Sequence, residues 1–171
     1  FLDYEMCQRI GVPTPRTILL PDISIEEEIK GIVKSPDWEK VAQELGLPCV
    51  IKPYNGYGWF DVFVVNSLDE MKKVYDSCRS SYILLAQQYI DYKDYYRVFC
   101  INKKEVLFIK WIPRPLGAGE YLLTDQCFLN DKRDLIAELT IKFNTVLDRD
   151  INAIEWCFDS EGKPWAIDTF N

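Results

Sequence analysis

Apolar positions along this chain switch between a spacing of two and a spacing of three or four, and those switches mark the elements. Residues 1–10 read as the end of a helix that Gly11 closes, with Pro13 just beyond. Arg16–Leu20 is a short strand. Ser35-Pro36-Asp37 reads as a helix start, with Ser35 as cap and Pro36 in the first turn; the helix runs to Leu45 and stops at Gly46. Cys49–Pro53 is a buried strand, residues 54–60 a loop, and Val62–Val65 a second strand. Ser67-Leu-Asp-Glu70 forms a capping box, and the helix behind it buries Leu68, Met71, Val74, Tyr75 and Cys78. Tyr82–Gln87 is a strand that leaves through a polar connector ending at Asp94. Tyr96–Ile101 and Val106–Ile112 make a hairpin, followed by a mobile Pro/Gly loop at 113–120. Asp131 caps a long helix whose stripe is Leu135, Ile136, Leu139, Phe143, Val146 and Leu147. The order predicts an α+β protein: a first lobe over 21–90, a second over 91–171, and residues 1–20 as a linking helix and strand.

The last stretch, Ile151–Asn171, holds two apolar runs around Asp-Ser-Glu-Gly-Lys and reads as a hairpin. With a loop of Ser160–Lys163, Phe158 faces Trp165 and Trp156 faces Ile167, giving one apolar face. Glu155 then lies opposite Asp168 on the other face, with Cβ atoms about 5 Å apart. Carboxylates held that close repel, so a cation belongs between them, and a divalent metal with oxygen ligands suits the pair. The competing reading is a solvated edge hairpin whose acids never meet.

Composition narrows the classes. The chain has 171 residues, 48% hydrophobic and 14% aromatic, enough for one domain or two small lobes sharing a cleft. A net charge of −7 argues against a general nucleic-acid binder. Six cysteines without a CxxC pair read as reduced thiols of a cytoplasmic protein. The lack of histidine removes His triads and His metal sites, and no apolar run is long enough to span a membrane. The chain starts at Phe1 and ends on the hairpin, which reads as a domain taken from a longer protein.

Four positions carry further chemistry. Lys52 ends an apolar strand and is either a cation aimed at a phosphate or a lysine that snorkels outward. Asn55-Gly56-Tyr57-Gly58 is either an anion-binding nest of backbone N–H groups or a plain turn. Gln87, Gln88, Tyr89 and Ile90 can form a linker whose backbone pairs with an adenine edge, with Asp91 or Asp94 reaching a ribose hydroxyl; a polar strand exit reads equally well. Arg97, Lys110 and Arg114 offer positive groups opposite the carboxylates, or are solvated hairpin charges.

As a set, these residues resemble the ATP-grasp superfamily, the nucleotide-binding unit of many carboxylate–amine ligases. Gly11-Val-Pro-Thr-Pro resembles the linker before its first lobe. Leu47-Pro-Cys-Val-Ile-Lys-Pro-Tyr-Asn-Gly-Tyr-Gly resembles its lysine strand and glycine loop, and Leu85-Ala-Gln-Gln-Tyr-Ile its adenine-contacting hinge. Tyr95–Ile101 with Lys110 resembles the basic strands of the second lobe. Glu155 and Asp168-Thr-Phe-Asn171 resemble the metal-binding acids and asparagine.

The resemblance implies ATP clamped between two α+β lobes. Lys52 would bind the α/β-phosphates, Asn55–Gly58 would cover the β/γ-phosphates, and Gln88–Ile90 would meet adenine. Lys110, with Arg97 or Arg114, would neutralise the transferred phosphoryl group. Glu155, Asp168 and Asn171 would hold Mg²⁺, or Mn²⁺ in its place. The implied reaction activates a small-molecule or peptide carboxylate as an acyl phosphate for attack by an amine or thiol, yielding ADP and phosphate. A non-catalytic ATP-binding module and phosphotransfer to another acceptor are the alternatives. The family often ends in Glu-x-Asn, whereas Asp168 and Asn171 are three apart and need a turn after Thr169. Trp59-Phe60-Asp61 stands where small or basic residues are usual. A second lysine and a substrate-binding domain would both precede Phe1.

Overall fold

A computed structural model of the protein describes residues 1–22, 34–56, 58–79, 81–122 and 132–168. These divide into two compact units. One comprises Pro15–Tyr89 with Phe1 and Pro115–Gly117; the other comprises Leu2–Thr14, Ile90–Arg114 and Ala118–Asn171. In chain order the division falls between Tyr89 and Ile90, and the first helix belongs to the second unit.

The first unit is a four-stranded antiparallel sheet covered by two helices. Its strands are β1 (Thr17–Leu19), β2 (Cys49–Pro53), β3 (Phe63–Val65) and β4 (Leu84–Gln88), in the order β1-β4-β2-β3. Helices α2 (Trp38–Leu45) and α3 (Leu68–Cys78) bury Trp38, Val41, Leu45, Met71, Tyr75 and Cys78 against Cys49, Ile51, Val65 and Ala86. The cap of α2 is Asp37, whose carboxylate accepts from Lys40 N–H at 3.1 Å; Ser35, the expected cap, lies two residues too early. On α3, Ser67 accepts from Glu70 N–H at 3.2 Å as the capping box requires, but the Glu70 carboxylate reaches Asn66 N–H instead of that of Ser67. Gly46 ends α2 at φ 80°, a backbone angle that suits glycine.

The second unit is a five-stranded antiparallel sheet, ordered β7-β6-β5-β8-β9. It is built from β5 (Tyr92–Ile101), β6 (Glu105–Ile112), β7 (Glu120–Leu122), β8 (Ile151–Asp159) and β9 (Pro164–Asp168). Helix α4 (Arg133–Val146) lays Ile136 and Phe143 on one face of this sheet, against Tyr96, Val98, Ile154, Trp156, Phe158 and Ala166. Leu135 and Val146, expected on the same stripe, are 43% and 50% exposed, because they fall off the 100° arc that Ile136, Leu139 and Phe143 occupy. Asp131 lies outside the described residues; Lys132 precedes the helix without a side-chain cap bond.

One strand runs beyond its expected limit and another was not expected. β5 starts at Tyr92, so Tyr92–Asp94 belong to a strand and not to a connector, and the loop at 113–120 contains a 3₁₀ turn at Pro115–Gly117 and the start of β7. Helix α1 (Leu2–Ile10) and the segment after it serve β9. Pro13 O accepts from Ala166 N–H, Thr14 Oγ1 donates to Ala166 O, and Tyr4 donates its hydroxyl to Ile167 O. The outer edge of β9 is thereby paired, which removes an exposed strand edge. No helix among the described residues is long and apolar enough to cross a membrane.

Candidate functional site

The closing hairpin sets the centre of the site through two compensating one-residue offsets. Its loop is tighter than expected: Asp159 N–H donates to Lys163 O, and Gly162, at φ 78°, closes the turn. Cys157 therefore faces Trp165, Phe158 faces Pro164 and Trp156 faces Ala166, each one residue from the expected register. A bulge between Glu155 and Trp156 then absorbs one extra residue of β9, and Glu155 comes back opposite Asp168. Ile167 stands at that bulge, and its carbonyl takes the Tyr4 hydroxyl. The expected pairing of the two carboxylates is present, reached by a different path.

Residues facing one another across neighbouring strands share a sheet face. On the face opposite α4, one row runs Ile109, Arg97, Glu155, Asp168. To one side lies an aromatic cluster of Tyr92, Tyr95, Trp111 and Trp165 around Cys157, Ile90 and Ile167. To the other lie Leu107, Phe99 and Ala153, then Glu105, Ile101 and Ile151, with Leu107, Ile101 and Ile151 exposed. The ionic row thus runs between the aromatic cluster and a largely apolar patch edged by Glu105.

Within the row, Glu155 is held from two sides. Tyr95 donates its hydroxyl to Glu155 Oε2 at 2.6 Å, and Arg97 Nη1 lies 3.8 Å from Oε1. The Arg97 and Glu155 side chains are only 18% and 13% exposed, so their attraction is weakly screened. Burial first, then the charge of Glu155 and the hydrogen bond to it, with Asp168 adding to them, hold the Tyr95 phenol well above its usual range; it stays a donor. Arg97 Nη1 also donates to the Tyr121 hydroxyl at 2.8 Å, while its Nε is buried and, among the described residues, has no hydrogen-bond partner. Cys157 lies beneath the aromatic cluster, where burial pushes its thiol up to about 12, out of the range of a nucleophile.

Of the three basic residues grouped from the sequence, only Arg97 meets the carboxylates. Lys110 is opposite Tyr96, which faces α4, so by alternation it projects from the other face; there it bonds Asp94 at 2.8 Å. Arg114 pairs with Glu120 at 3.2 Å. Tyr95 and Tyr121 were missed. Tyr95 fell between the expected connector and hairpin strand and Tyr121 just past the Pro/Gly loop, although alternation extended back from Arg97 would have found Tyr95.

Glu155 and Asp168 offer the oxygen ligands that a hard divalent cation prefers, and their opposition is costly without positive charge between them. The described residues hold no cluster of three or more Asp, Glu, Cys or His suited to a metal, and Asn171 lies outside them. The pair fits a cation shared with phosphate oxygens and waters, the usual habit of Mg²⁺.

The remaining candidates belong to the first unit or to the crossing. Lys52 on β2 faces Leu85 of β4 and is half-buried. Asn55 and Gly56 are exposed, and Gly56 N–H donates to Pro53 O at 3.4 Å. Gly58 has φ 61° and its carbonyl accepts from Gly117 N–H at 2.7 Å; Tyr57 lies outside the described residues. Trp59 and Asp61 also have positive φ, 60° and 54°, a conformation that costs such residues energy and that tends to occur at functional loops. Gln88 N–H is taken by Arg16 O, and its side-chain oxygen accepts from Arg16 N–H. Ile90 is buried in the aromatic cluster, and Asp91 is exposed.

Two antiparallel sheets with this strand order, joined at the Gln88–Ile90 crossing, define the ATP-grasp fold, and the chain has it. D-alanine–D-alanine ligase from Bacillus anthracis superposes with a TM-score of 0.79 at 13% identity, over 99% of this chain and 55% of that one. Carboxyaminoimidazole ribonucleotide synthase from Aspergillus clavatus, complexed with ATP, gives 0.74 at 18%, over 98% and 43%. The ATP-grasp ligase PsnB, complexed with minimal precursor, Mg and ADP, gives 0.63 at 14%, over 97% and 47%. This chain spans about half the length of the structures it matches. No family model and no curated protein sequence matches it.

Proposed function

We propose that this chain is the nucleotide-binding part of an ATP-dependent ligase that activates a carboxylate as an acyl phosphate for attack by an amine or thiol. The observation that supports this most is the Glu155–Asp168 pair, opposed across a strand bulge and flanked by the half-sequestered Arg97. It occurs in a fold whose similar structures were solved with ATP, or with Mg and ADP.

In this reading Lys52 binds the α/β-phosphates, and the backbone at Asn55, Gly56 and Gly58 covers the β/γ-phosphates. Tyr89 and Ile90 meet adenine through their backbone. Gln88 has already given its N–H to Arg16, so it takes part through its carbonyl. Asp91 receives the ribose, because Asp94 is engaged by Lys110. Glu155 and Asp168, with Asn171, would hold Mg²⁺ or Mn²⁺. Such an ion supplies charge neutralisation on the phosphate oxygens. Arg97 neutralises the transferred phosphoryl group, whereas Lys110 and Arg114 stay with their acidic partners.

The substrate carboxylate oxygen attacks the γ-phosphorus, the bond to the bridging oxygen breaks, and ADP leaves. The amine then attacks the acyl carbon, inorganic phosphate departs, and the amine proton passes to solvent. Positioning and charge neutralisation supply most of the rate, which suits a chain without histidine. Incubating the full-length protein with Mg-ATP, candidate carboxylates and hydroxylamine tests the proposal. A hydroxamate is expected, and it should vanish in Lys52→Ala and in Glu155→Ala while the far-UV spectrum stays the same. A stable phosphoester, or undiminished turnover in either variant, contradicts the assignment.

A further inference from the structure

We infer that Tyr95 is a positioning residue for the cation-binding carboxylate and sets how Glu155 presents its oxygens to a divalent metal. The inference rests on the reading of Glu155 as a metal ligand given above.

Tyr95 faces Cys157 across β5 and β8, which makes Glu155 its diagonal neighbour on the same face. At that separation a tyrosine hydroxyl reaches a glutamate carboxylate without bending either strand. The contact is short, 2.6 Å to Oε2. The ring is locked. It is 4% exposed, Tyr92 packs edge-on against it with centroids 5.2 Å apart, and it belongs to a cluster with Ile90 and Cys157 against which Trp111, Trp165 and Ile167 pack. A locked ring with its one polar atom against Oε2 fixes the orientation of the whole carboxylate.

The other oxygen is addressed by a different group. Oε1 lies toward Arg97, whose Nη1 is itself held by the Tyr121 hydroxyl. The two oxygens of Glu155 are therefore unlike: Oε2 is committed to a neutral donor, and Oε1 lies on the Arg97 side. A carboxylate held this way has its orientation set before a cation arrives, with little side-chain freedom left to lose on binding. Groups that orient a metal ligand in this manner typically change metal affinity 10- to 100-fold when removed. A purely structural tyrosine would need only some acceptor for its hydroxyl. Here the acceptor is one of the two opposed carboxylates read as holding the cation.

The test is a titration of Mn²⁺, followed by electron paramagnetic resonance, into the full-length protein saturated with a non-hydrolysable ATP analogue. Four forms are compared: the native protein, Tyr95→Phe, Glu155→Gln and the double variant. Tyr95→Phe keeps the ring and its packing, and thermal melts of each form report folding. Tyr95→Phe is expected to weaken Mn²⁺ binding about tenfold, with no further loss in the double variant beyond Glu155→Gln alone. Binding within twofold of native in Tyr95→Phe overturns the inference. So does the same loss in both backgrounds, or a Tyr95→Phe chain that is unfolded at the assay temperature, since the hydroxyl would then be serving stability. Unchanged binding in Glu155→Gln instead removes the metal-ligand reading itself, and the two failures are told apart.

Discussion

Arg97 carries the proposed anion-binding role at the level of a single side chain. Its guanidinium has one arm between the Tyr121 hydroxyl and Glu155, lies over the Phe99 ring at 5.8 Å, and has its Nε buried without a partner among the described residues. A buried donor without an acceptor is costly, and an incoming anion removes that cost. Arg97→Ala is therefore expected to lower kcat by about 10²- to 10³-fold, the effect of removing one preorganised charge-stabilising donor. Its KM for ATP should move much less. Arg97→Lys should not restore the rate, because an ammonium lacks the further guanidinium donors, Nε among them, that are left for an anion once one arm is held by Tyr121 and Glu155. Steady-state kinetics of the full-length protein checks both; a change of less than threefold in Arg97→Ala rules out the role. Glu155, Asp168 and Arg97 were legible in the sequence because each interrupts an apolar alternation. Lys110 interrupts one too, yet lies on the other face, a distinction that only the strand pairing makes.

Among the elements, the closing hairpin separates what alternation can give from what it cannot. Periodicity fixed which residues are strand and which are turn, but the strand partners depended on the loop conformation and on a bulge. Neither leaves a clear mark in the pattern, because Asp-Ser-Glu-Gly-Lys accommodates a loop of either length. The turn is held by Asp159, whose carboxylate accepts from the N–H groups of Glu161 and Lys163 and from Trp165 Nε1. The Trp165 bond, followed by the backbone donors, keeps this carboxyl below the usual carboxylate range. A depressed folded pKa means its contribution is complete above the ordinary value of 3.8 and fades as pH falls through the lower folded value. Melting temperatures measured down to about pH 2 should lose part of their acid dependence in Asp159→Asn, and native-like acid dependence in that variant would argue against this role. Against the opposite face, Trp156 Nε1 donates to Thr140 Oγ1 at 3.1 Å inside the core. Thr140→Val leaves that indole N–H unpaired and should cost about 1 to 3 kcal/mol in denaturant titrations. The helical stripe was legible at Ile136, Leu139 and Phe143, while its margins at Leu135 and Val146 were set by how α4 lies on the sheet.

At the scale of the whole molecule, the candidate groups are shared between two units. Lys52 and the glycine loop belong to the first, whereas Arg97, Glu155 and Asp168 belong to the second. Along the sequence, the lysine strand, glycine loop, hinge, basic strand and acidic hairpin follow one another in that order. Local pattern did not convey that α1 serves the second unit, since Tyr4 and Thr14 reach β9 across more than 150 positions. We propose that Lys52 and the Glu155–Asp168 pair each serve ATP bound with a divalent cation. Calorimetric titration of ATP into the full-length protein, with Mg²⁺ and with chelator, tests it most directly. Binding should require Mg²⁺ in the native protein, weaken at least about tenfold in Lys52→Ala, and lose its dependence on Mg²⁺ in Glu155→Gln. No binding at all, or binding that ignores Mg²⁺ and both substitutions, would contradict it.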